Sequence, residues 1–178
     1  MKHNLLTLTA AICAAAMLTA CNSDDNKTDE PEATPSAAVM QYNLTVSDDM
    51  LAAFDMTIEY YDTDGAVQNE SMTETKWSKN VKAKLPATHG LRLTAKMKNG
   101  AEIDSDTSFA ISYSYSFNGS VIASDGSNLG KGIADSNTTS LTIKGEKVSE
   151  WIARKNDGIF SLLYTFNEKG DTETGTWK

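Results

Sequence analysis

The sequence predicts an all-β fold: an antiparallel, two-sheet sandwich with one short helix near the C-terminus. Apolar and polar side chains alternate with a period of two in one segment after another, which is typical of strands that are buried on one face. Short sequences rich in Asn, Asp and Gly separate these segments. A single segment, residues 146–155, changes to a helical spacing of its apolar residues.

The chain begins with the features of a bacterial secretory signal. Lys2 precedes an apolar run from Leu5 to Leu18, and the run ends in the residues Leu18-Thr19-Ala20-Cys21. The run is shorter than the roughly 20 residues that a transmembrane helix needs. This layout resembles the signal of bacterial lipoproteins, which implies that residues 1–20 are removed and that Cys21 is the lipid attachment residue. Two or more acyl chains make a stable membrane anchor.

The following residues predict a disordered acidic tether over 21–37, with the folded domain over 38–178. Residues 22–36 contain five acids, two prolines and no large apolar side chain, so they bury too little surface to become ordered. The pair Asp24-Asp25 resembles the surface-export signal of lipoproteins from the Bacteroides group. The alternative is a plain tether that faces the periplasm. The predicted location is therefore the outer membrane of the cell envelope, with the side of the membrane left open.

Composition limits the function classes. The chain has 16 basic and 24 acidic residues, a formal net charge of −8, which makes nucleic acid an unfavourable partner. The two cysteines are Cys13, inside the signal, and Cys21. No thiol is then left for a disulfide, a metal site or a nucleophile.

Eight segments are predicted as strands, the last over residues 172–177. Their large side chains alternate in position and are expected to face one core. These side chains are Met40, Tyr42, Leu44 and Val46; Phe54, Met56, Ile58 and Tyr60; Trp77, Val81 and Leu85; Leu91, Leu93, Ala95 and Met97; Phe109, Ile111, Tyr113, Tyr115 and Phe117; Leu141 and Ile143; and Phe160, Leu162, Tyr164 and Phe166.

The connections predict tight turns, so neighbouring strands should be antiparallel. Turn sequences occupy residues 62–65, 98–100, 117–120 and 167–170, and residues 124–127 and 128–132 are predicted as loops. An EF-hand alignment with Gly65 at the sixth position puts Tyr60 at the first, where no ligand oxygen is available, so a hairpin turn is predicted instead of a calcium loop.

One helix is predicted within residues 146–155. Val148, Trp151 and Ile152 lie at positions i, i+3 and i+4, and the segment 156–158 supplies Asn, Asp and Gly to end the helix. The apolar side of this helix is expected to cover an open end or edge of the sheets.

The strand pattern favours an immunoglobulin-like sandwich, since the inward faces are crowded with large residues. The alternative is an up-and-down, lipocalin-like barrel that holds a small apolar ligand. Lipocalins usually have Gly-x-Trp in their first strand, whereas here Trp77, Trp151 and Trp177 lie elsewhere. The order of motifs between Tyr42 and Ser127 also resembles small secreted sandwich domains of envelope-accessory proteins, which implies a fold and no activity.

No catalytic constellation, cofactor site or metal site is predicted. His89 is the only histidine after the signal, and the sequence from Pro86 to Gly90 around it predicts an exposed loop. A nucleophile with a histidine base would have to use His89. A pair of catalytic carboxylates cannot be located from sequence spacing.

Charge is distributed unevenly. Residues 75–101 contain seven basic residues and no acid. If the third and fourth strands pair as a hairpin, one face becomes a basic stripe. The stripe would consist of Lys82, Lys84, Arg92, Lys96 and Lys98. One hypothesis is a docking surface for an anionic partner, either an acidic glycan or an acidic protein patch. The other is a solvated sheet face whose bases meet Asp55 and Glu59 on neighbouring strands.

The predicted function is a lipid-anchored, non-enzymatic binding or accessory module of the cell envelope. Its partners would be the membrane, through the lipid anchor, and a glycan or an envelope protein. Three alternatives remain: a structural, fimbrial-type subunit assembled by strand exchange, a small-ligand-binding barrel, and an enzyme with carboxylate chemistry.

Overall fold

The computed structural model describes residues 33–177, which form nine strands, two short α-helices and one 3₁₀ turn. The lipid attachment residue Cys21 and most of the predicted tether lie outside the described residues. The elements are β1 (Pro35–Val46), α1 (Asp48–Ala53), β2 (Phe54–Tyr61), β3 (Val67–Ser71), β4 (Lys76–Lys84), β5 (Ala87–Met97), β6 (Ser108–Ala123), β7 (Asn128–Lys144), the 3₁₀ turn (Gly145–Lys147), α2 (Val148–Ala153), β8 (Phe160–Phe166) and β9 (Thr172–Thr174).

The strands form two antiparallel sheets, which confirms the predicted sandwich. The four-stranded sheet has the order β4-β1-β6-β7, and the five-stranded sheet has the order β3-β2-β5-β8-β9. The lipocalin-like barrel is wrong for residues 33–177, because β4 and β7 end one sheet, β3 and β9 end the other, and no strand pair joins the two sheets.

The core lies between the two sheets and follows the predicted alternation. In β1 the residues Met40, Tyr42, Leu44 and Val46 are buried, and in β2 the same holds for every second residue from Phe54 to Tyr60. Aromatic rings connect the layers: Tyr42 packs edge-on against Phe117, with 5.2 Å between ring centroids, and Phe117 lies 5.1 Å from Tyr164 of the other sheet. Residues 33–177 contain no cysteine, so burial of the apolar side chains between the sheets, these rings included, is the main stabilising contribution.

β6 and β7 form a hairpin that is longer than the sequence predicts. The turn predicted at residues 117–120 is wrong, since β6 continues through this segment, and the real turn contains Gly126 with φ +88°. The segment 128–132, predicted as a loop, is the start of β7. Gly119 lies within β6, and the position is occupied by glycine because a Cβ there would collide with the sulfur of Met40. This glycine therefore allows close packing and does not form a turn.

The sequence pattern does not predict two of the elements, α1 and β3. Helix α1 has only six residues, too few to show a period, and it begins where the hydroxyl of Ser47 accepts a hydrogen bond from the backbone N–H of Met50 at 3.4 Å. Strand β3 is a polar edge strand that lacks apolar alternation. The predicted C-terminal helix is confirmed as α2, where Trp151 packs on Phe54 at 6.1 Å.

The domain also starts earlier than predicted. Strand β1 begins at Pro35, so residues 35–37, which the composition assigned to the tether, belong to the sandwich. Ala37 and Ala38 are both buried there, and small apolar side chains of this kind are compatible with a strand between two neighbours. No helix among residues 33–177 is long and apolar enough to cross a bilayer.

Candidate functional site

The predicted basic stripe does not form, because β4 and β5 do not pair as a hairpin. Strand β4 pairs with β1 in the four-stranded sheet, whereas β5 pairs with β2 and β8 in the other. The chain crosses between the sheets at the cis peptide Leu85–Pro86. The five residues are therefore divided: Lys82 and Lys84 lie on the outer face of β4, and the other three lie on or just after β5.

Two of the three bases of the β5 region, Arg92 and Lys98, are bonded to neighbours, and Lys96 is exposed without an ion pair among the described residues. Arg92 forms an ion pair with Glu59, its cross-strand partner on β2, and this hydrogen bond raises the pKa of the Arg92 guanidinium. Lys96 lies opposite Asp55 in the strand register, and the ammonium of Lys98 donates to the carbonyl of Leu51 at 2.7 Å. The hypothesis that these bases meet Asp55 and Glu59 is confirmed for Arg92 by a direct contact.

Lys82 and Lys84 instead line a surface groove with a volume of about 640 Å³. It lies at one end of the sandwich, between the end of β4, the start of β5 and the turn that joins β2 to β3. The lining residues are Ala37, Tyr61, Thr63, Asp64, Gly65, Lys82, Ala83, Lys84, Pro86, Ala87 and Thr88. Strand β4 therefore contributes two basic residues to the lining, Lys82 and Lys84, and the β2–β3 turn contributes one acidic residue, Asp64.

The turn that forms the acidic wall is stabilised by Asp62. Its carboxylate accepts hydrogen bonds from the backbone N–H of Asp64 at 3.0 Å, from that of Ala66 at 3.2 Å and from the amide of Gln68 at 2.6 Å. This confirms the predicted hairpin turn. The oxygens of Asp62 accept hydrogen bonds from the turn and from Gln68, whereas Asp64 is an exposed residue that lines the groove.

Tyr61, at the end of β2, packs against Trp177 of the C-terminal segment. The Trp177 ring packs against Tyr61 with 5.2 Å between centroids, and its indole N–H donates to the carbonyl of Leu162 at 2.8 Å. The Arg92 guanidinium lies 4.7 Å from the centre of the Trp177 ring. Trp177 can lie flat on the sheet because Gly90 has no side chain: a Cβ there would come within 2.8 Å of the indole.

His89 does not contribute to any surface site. The predicted exposed loop is wrong: residues 87–90 belong to β5, and His89 is 0% exposed on its inner face. Its Nδ1 lies 3.2 Å from the hydroxyl of Tyr42, and its Nε2 has no hydrogen-bond partner. Burial lowers the pKa of His89 to about 4 and raises the pKa of Tyr42. His89 lies two residues before Leu91 and therefore on the same face of the strand. This alternation is the sequence signal that indicates burial of His89.

Two carboxylates at the open sides of the sandwich are also occupied. Glu70 accepts from the hydroxyl of Tyr60 at 2.6 Å, the indole N–H of Trp77 at 2.7 Å and the ammonium of Lys79 at 2.7 Å. The hydrogen bond from Lys79, followed by those from the two aromatic residues, lowers the pKa of Glu70 to about 2. On the other side, Asp135 accepts from the hydroxyl of Tyr164 at 2.7 Å.

Neither a metal-binding cluster nor similarity to a known protein identifies a site. Among residues 33–177, no group of three or more His, Cys, Asp or Glu side chains is arranged to hold a metal ion. Comparison with protein-family models, with curated proteins and with solved structures finds no match. The groove beside Lys82 and Lys84 is therefore the candidate site, on geometry and charge alone.

Proposed function

We propose that this protein is a lipid-anchored, non-enzymatic binding module of the bacterial cell envelope. The observation that carries the proposal is the sequence Leu18-Thr19-Ala20-Cys21 after a basic start and a short apolar run. Acyl chains on Cys21 would hold the chain in the outer membrane, and a partner would bind the sandwich.

The distance between the lipid and the domain supports this arrangement. Strand β1 begins at Pro35, so residues 22–34 would separate the anchor from the first strand. Thirteen residues span at most about 45 Å, a length sufficient to connect a lipid anchor to a separately folded domain.

A binding role is favoured over catalysis by the state of the ionisable groups. The imidazole of His89 is inside the core, and the carboxylates of Glu70 and Asp135 accept hydrogen bonds within the sandwich. None of these groups is placed to exchange a proton with a substrate in the groove.

The anchor is tested by expressing the full chain and its Cys21→Ser variant in a lipoprotein-processing bacterium. We expect the parent protein to incorporate labelled palmitate, to fractionate with the outer membrane and to show a diacylglyceryl group on its N-terminal peptide by mass spectrometry. The variant should lose all three properties. Recovery of the parent as an unmodified, freely secreted protein would contradict the proposal.

Two further measurements separate the remaining alternatives. Protease treatment of intact cells degrades a domain on the cell surface and spares one that faces the periplasm. A fimbrial-type subunit assembled by strand exchange would migrate as polymers resistant to detergent, because each subunit supplies a strand to the next. A monomeric band supports the binding module.

A further inference from the structure

We propose that the groove between β4 and the β2–β3 turn binds a carboxylated sugar, such as a residue of an acidic glycan. This inference rests on the proposed function and deepens it, since it names the chemistry of the partner. Three features of the groove support it: the two unpaired lysines, the acidic group opposite them, and the hydroxyl and ring surfaces between.

The first feature is positive charge that forms no ion pair within the described residues. The side chains of Lys82 and Lys84 are exposed and their ammonium groups have no ion pair or hydrogen bond there, whereas those of Lys79 and Lys131 are paired with carboxylates. Residues two apart on a strand point to the same side about 7 Å apart, so the two ammonium groups can share one carboxylate. A cationic wall on a chain of net charge −8 marks the place where an anion is attracted instead of repelled.

The second feature is the acidic group on the opposite wall. The Asp64 carboxylate has no hydrogen-bond donor from the described residues, because the donors of the turn are bonded to Asp62. A carboxylate at this position accepts hydrogen bonds from hydroxyl groups and repels a second anion. A ligand with an anionic end and a hydroxyl-rich end is therefore oriented, with its carboxylate toward β4 and its hydroxyls toward the turn. A polyanion with charge along its whole length would face repulsion from Asp64.

The third feature is the surface between these walls. Thr63 and Thr88 contribute hydroxyls, while Tyr61 and Pro86 contribute ring surfaces. A sugar ring presents both C–H groups and hydroxyls, and this mixed lining matches it. The groove volume of about 640 Å³ is within the range of sites that bind small molecules. Packing of Tyr61 on Trp177, together with the bonds of the Asp62 turn, holds the walls in place before the ligand arrives.

The test measures the Kd of the purified full chain in detergent by isothermal titration calorimetry. The acidic probes are methyl galacturonoside and 3′-sialyllactose, each with a single carboxylate, and their neutral counterparts are methyl galactoside and lactose. We expect saturable binding of at least one acidic probe and at least tenfold weaker binding of its neutral counterpart. We also expect the affinity to fall as salt is added, because the lysines are exposed.

Two double variants with the same change in net charge locate the site. Lys82→Gln with Lys84→Gln should weaken binding about tenfold or more, with an unchanged unfolding temperature, since both side chains are exposed. Lys76→Gln with Lys96→Gln is the matched control: both lysines are exposed, without an ion pair, and outside the groove. We expect this control to change the Kd less than about twofold.

Four results would overturn the inference: no saturable binding of either acidic probe, equal binding of the neutral counterparts, equal losses in the two double variants, or equally tight binding of a triglutamate peptide. The last result would show a nonspecific anion surface. None of these results affects acylation of Cys21 or the membrane fractionation, so failure of the groove and failure of the proposed function are seen in different experiments.

Discussion

On each long side of the sandwich a carboxylate links the two sheets through hydrogen bonds, but the two carboxylates have different numbers of donors. On one side the edge strands β3 and β4 face each other, and Glu70 of β3 accepts from Trp77 and Lys79 of β4 and from Tyr60 of its own sheet. On the other side β7 faces β8, and Asp135 accepts one hydrogen bond from Tyr164. In both cases a carboxylate on an edge strand binds the opposite sheet at the rim of an aromatic cluster.

The difference shows what an edge carboxylate needs if it is to join two sheets. Glu70 has three donors, one of them a cation whose ammonium also lies 5.1 Å from the Tyr60 ring. The Glu70 and Lys79 side chains are 36% and 40% exposed, so solvent weakens this ion pair. The aromatic donors compensate because their positions are fixed by packing. Asp135 has no ion pair with a base among residues 33–177, and its side of the sandwich depends more on the packing of Tyr115 against Phe160, with 4.7 Å between ring centroids.

A third polar link lies between these two sides, in the middle of the core. Tyr42 of the central strand β1 reaches His89 of the central strand β5, so the hydrogen bond joins the sheets without access to water. Its imidazole must stay neutral, because a charge there has no counterion among the described residues. The three links therefore differ in their response to acid, and this difference can be measured.

The largest expected effect is acid destabilisation through His89. Burial lowers its pKa to about 4 from the ordinary 6.5, so between these values the unfolded chain binds a proton that the folded chain does not. Stability then rises with pH across this window and is lost as pH falls through it, by about 3 kcal/mol. Urea unfolding at pH 7.5, 6, 5 and 4 measures the free energy of unfolding.

The His89→Gln variant is the control for that slope. The amide can still bond to the hydroxyl of Tyr42 but does not titrate. The loss in free energy of unfolding between pH 6.5 and 4 should therefore be about 3 kcal/mol smaller in the variant than in the parent, regardless of the stability of the variant at pH 7.5. An identical slope in the parent and the variant would refute the role of His89.

A smaller effect is expected on the β3/β4 side. Glu70→Gln removes the charge that Trp77, Lys79 and Tyr60 stabilise, and we expect the free energy of unfolding at pH 7 to fall by about 1.5 kcal/mol, with solvent exposure of the pair included. Because the pKa of Glu70 is lowered from 4.5 to about 2, its contribution is complete above pH 4.5 and is lost as pH falls toward 2.

Glu74→Gln is matched to this variant, since Glu74 is an exposed acid nearby. It should leave the free energy of unfolding within about 0.5 kcal/mol of the parent. Comparable losses in the two variants would mean that general charge, and not the three donors, explains the effect.

The smallest effect is expected on the β7/β8 side. Tyr164→Phe removes one hydrogen bond to Asp135 and keeps the ring against Phe117, so we expect a loss of about 1 kcal/mol in chemical denaturation. The change also removes a phenol whose pKa is raised to about 12, first by burial and then by Asp135. Tyr113→Phe serves as the comparison, because no hydrogen bond of the Tyr113 hydroxyl is lost. A Tyr164 variant as stable as the Tyr113 variant would show that this side is closed by ring packing alone.

Much of the fold could be predicted from local pattern, because burial of every second residue is a property of each strand by itself. This pattern predicts the inward faces of β1 and β2 and the helix α2. It does not predict the correct turn after residue 117, because a glycine such as Gly119 serves either a turn or a close contact, and only the position of Met40 distinguishes the two. The sequence predicts Lys82 and Lys84 as candidate site residues, but it carries no signal that brings Tyr61, Asp64 and Thr88 to the same groove.

Local patterns in the sequence are sufficient to predict a β-sandwich and the residues that face its core, and the N-terminus resembles a lipoprotein signal. Three features depend on contacts between distant segments: β4 and β5 lie in different sheets, His89 is buried, and one groove is lined by Lys82, Lys84 and Asp64. The physical reason is that alternation is written in neighbouring residues, whereas strand pairing depends on which distant segments bury their apolar faces together. The position of a charged side chain depends on which strands pair, so the predicted basic stripe does not form when β4 and β5 lie in different sheets.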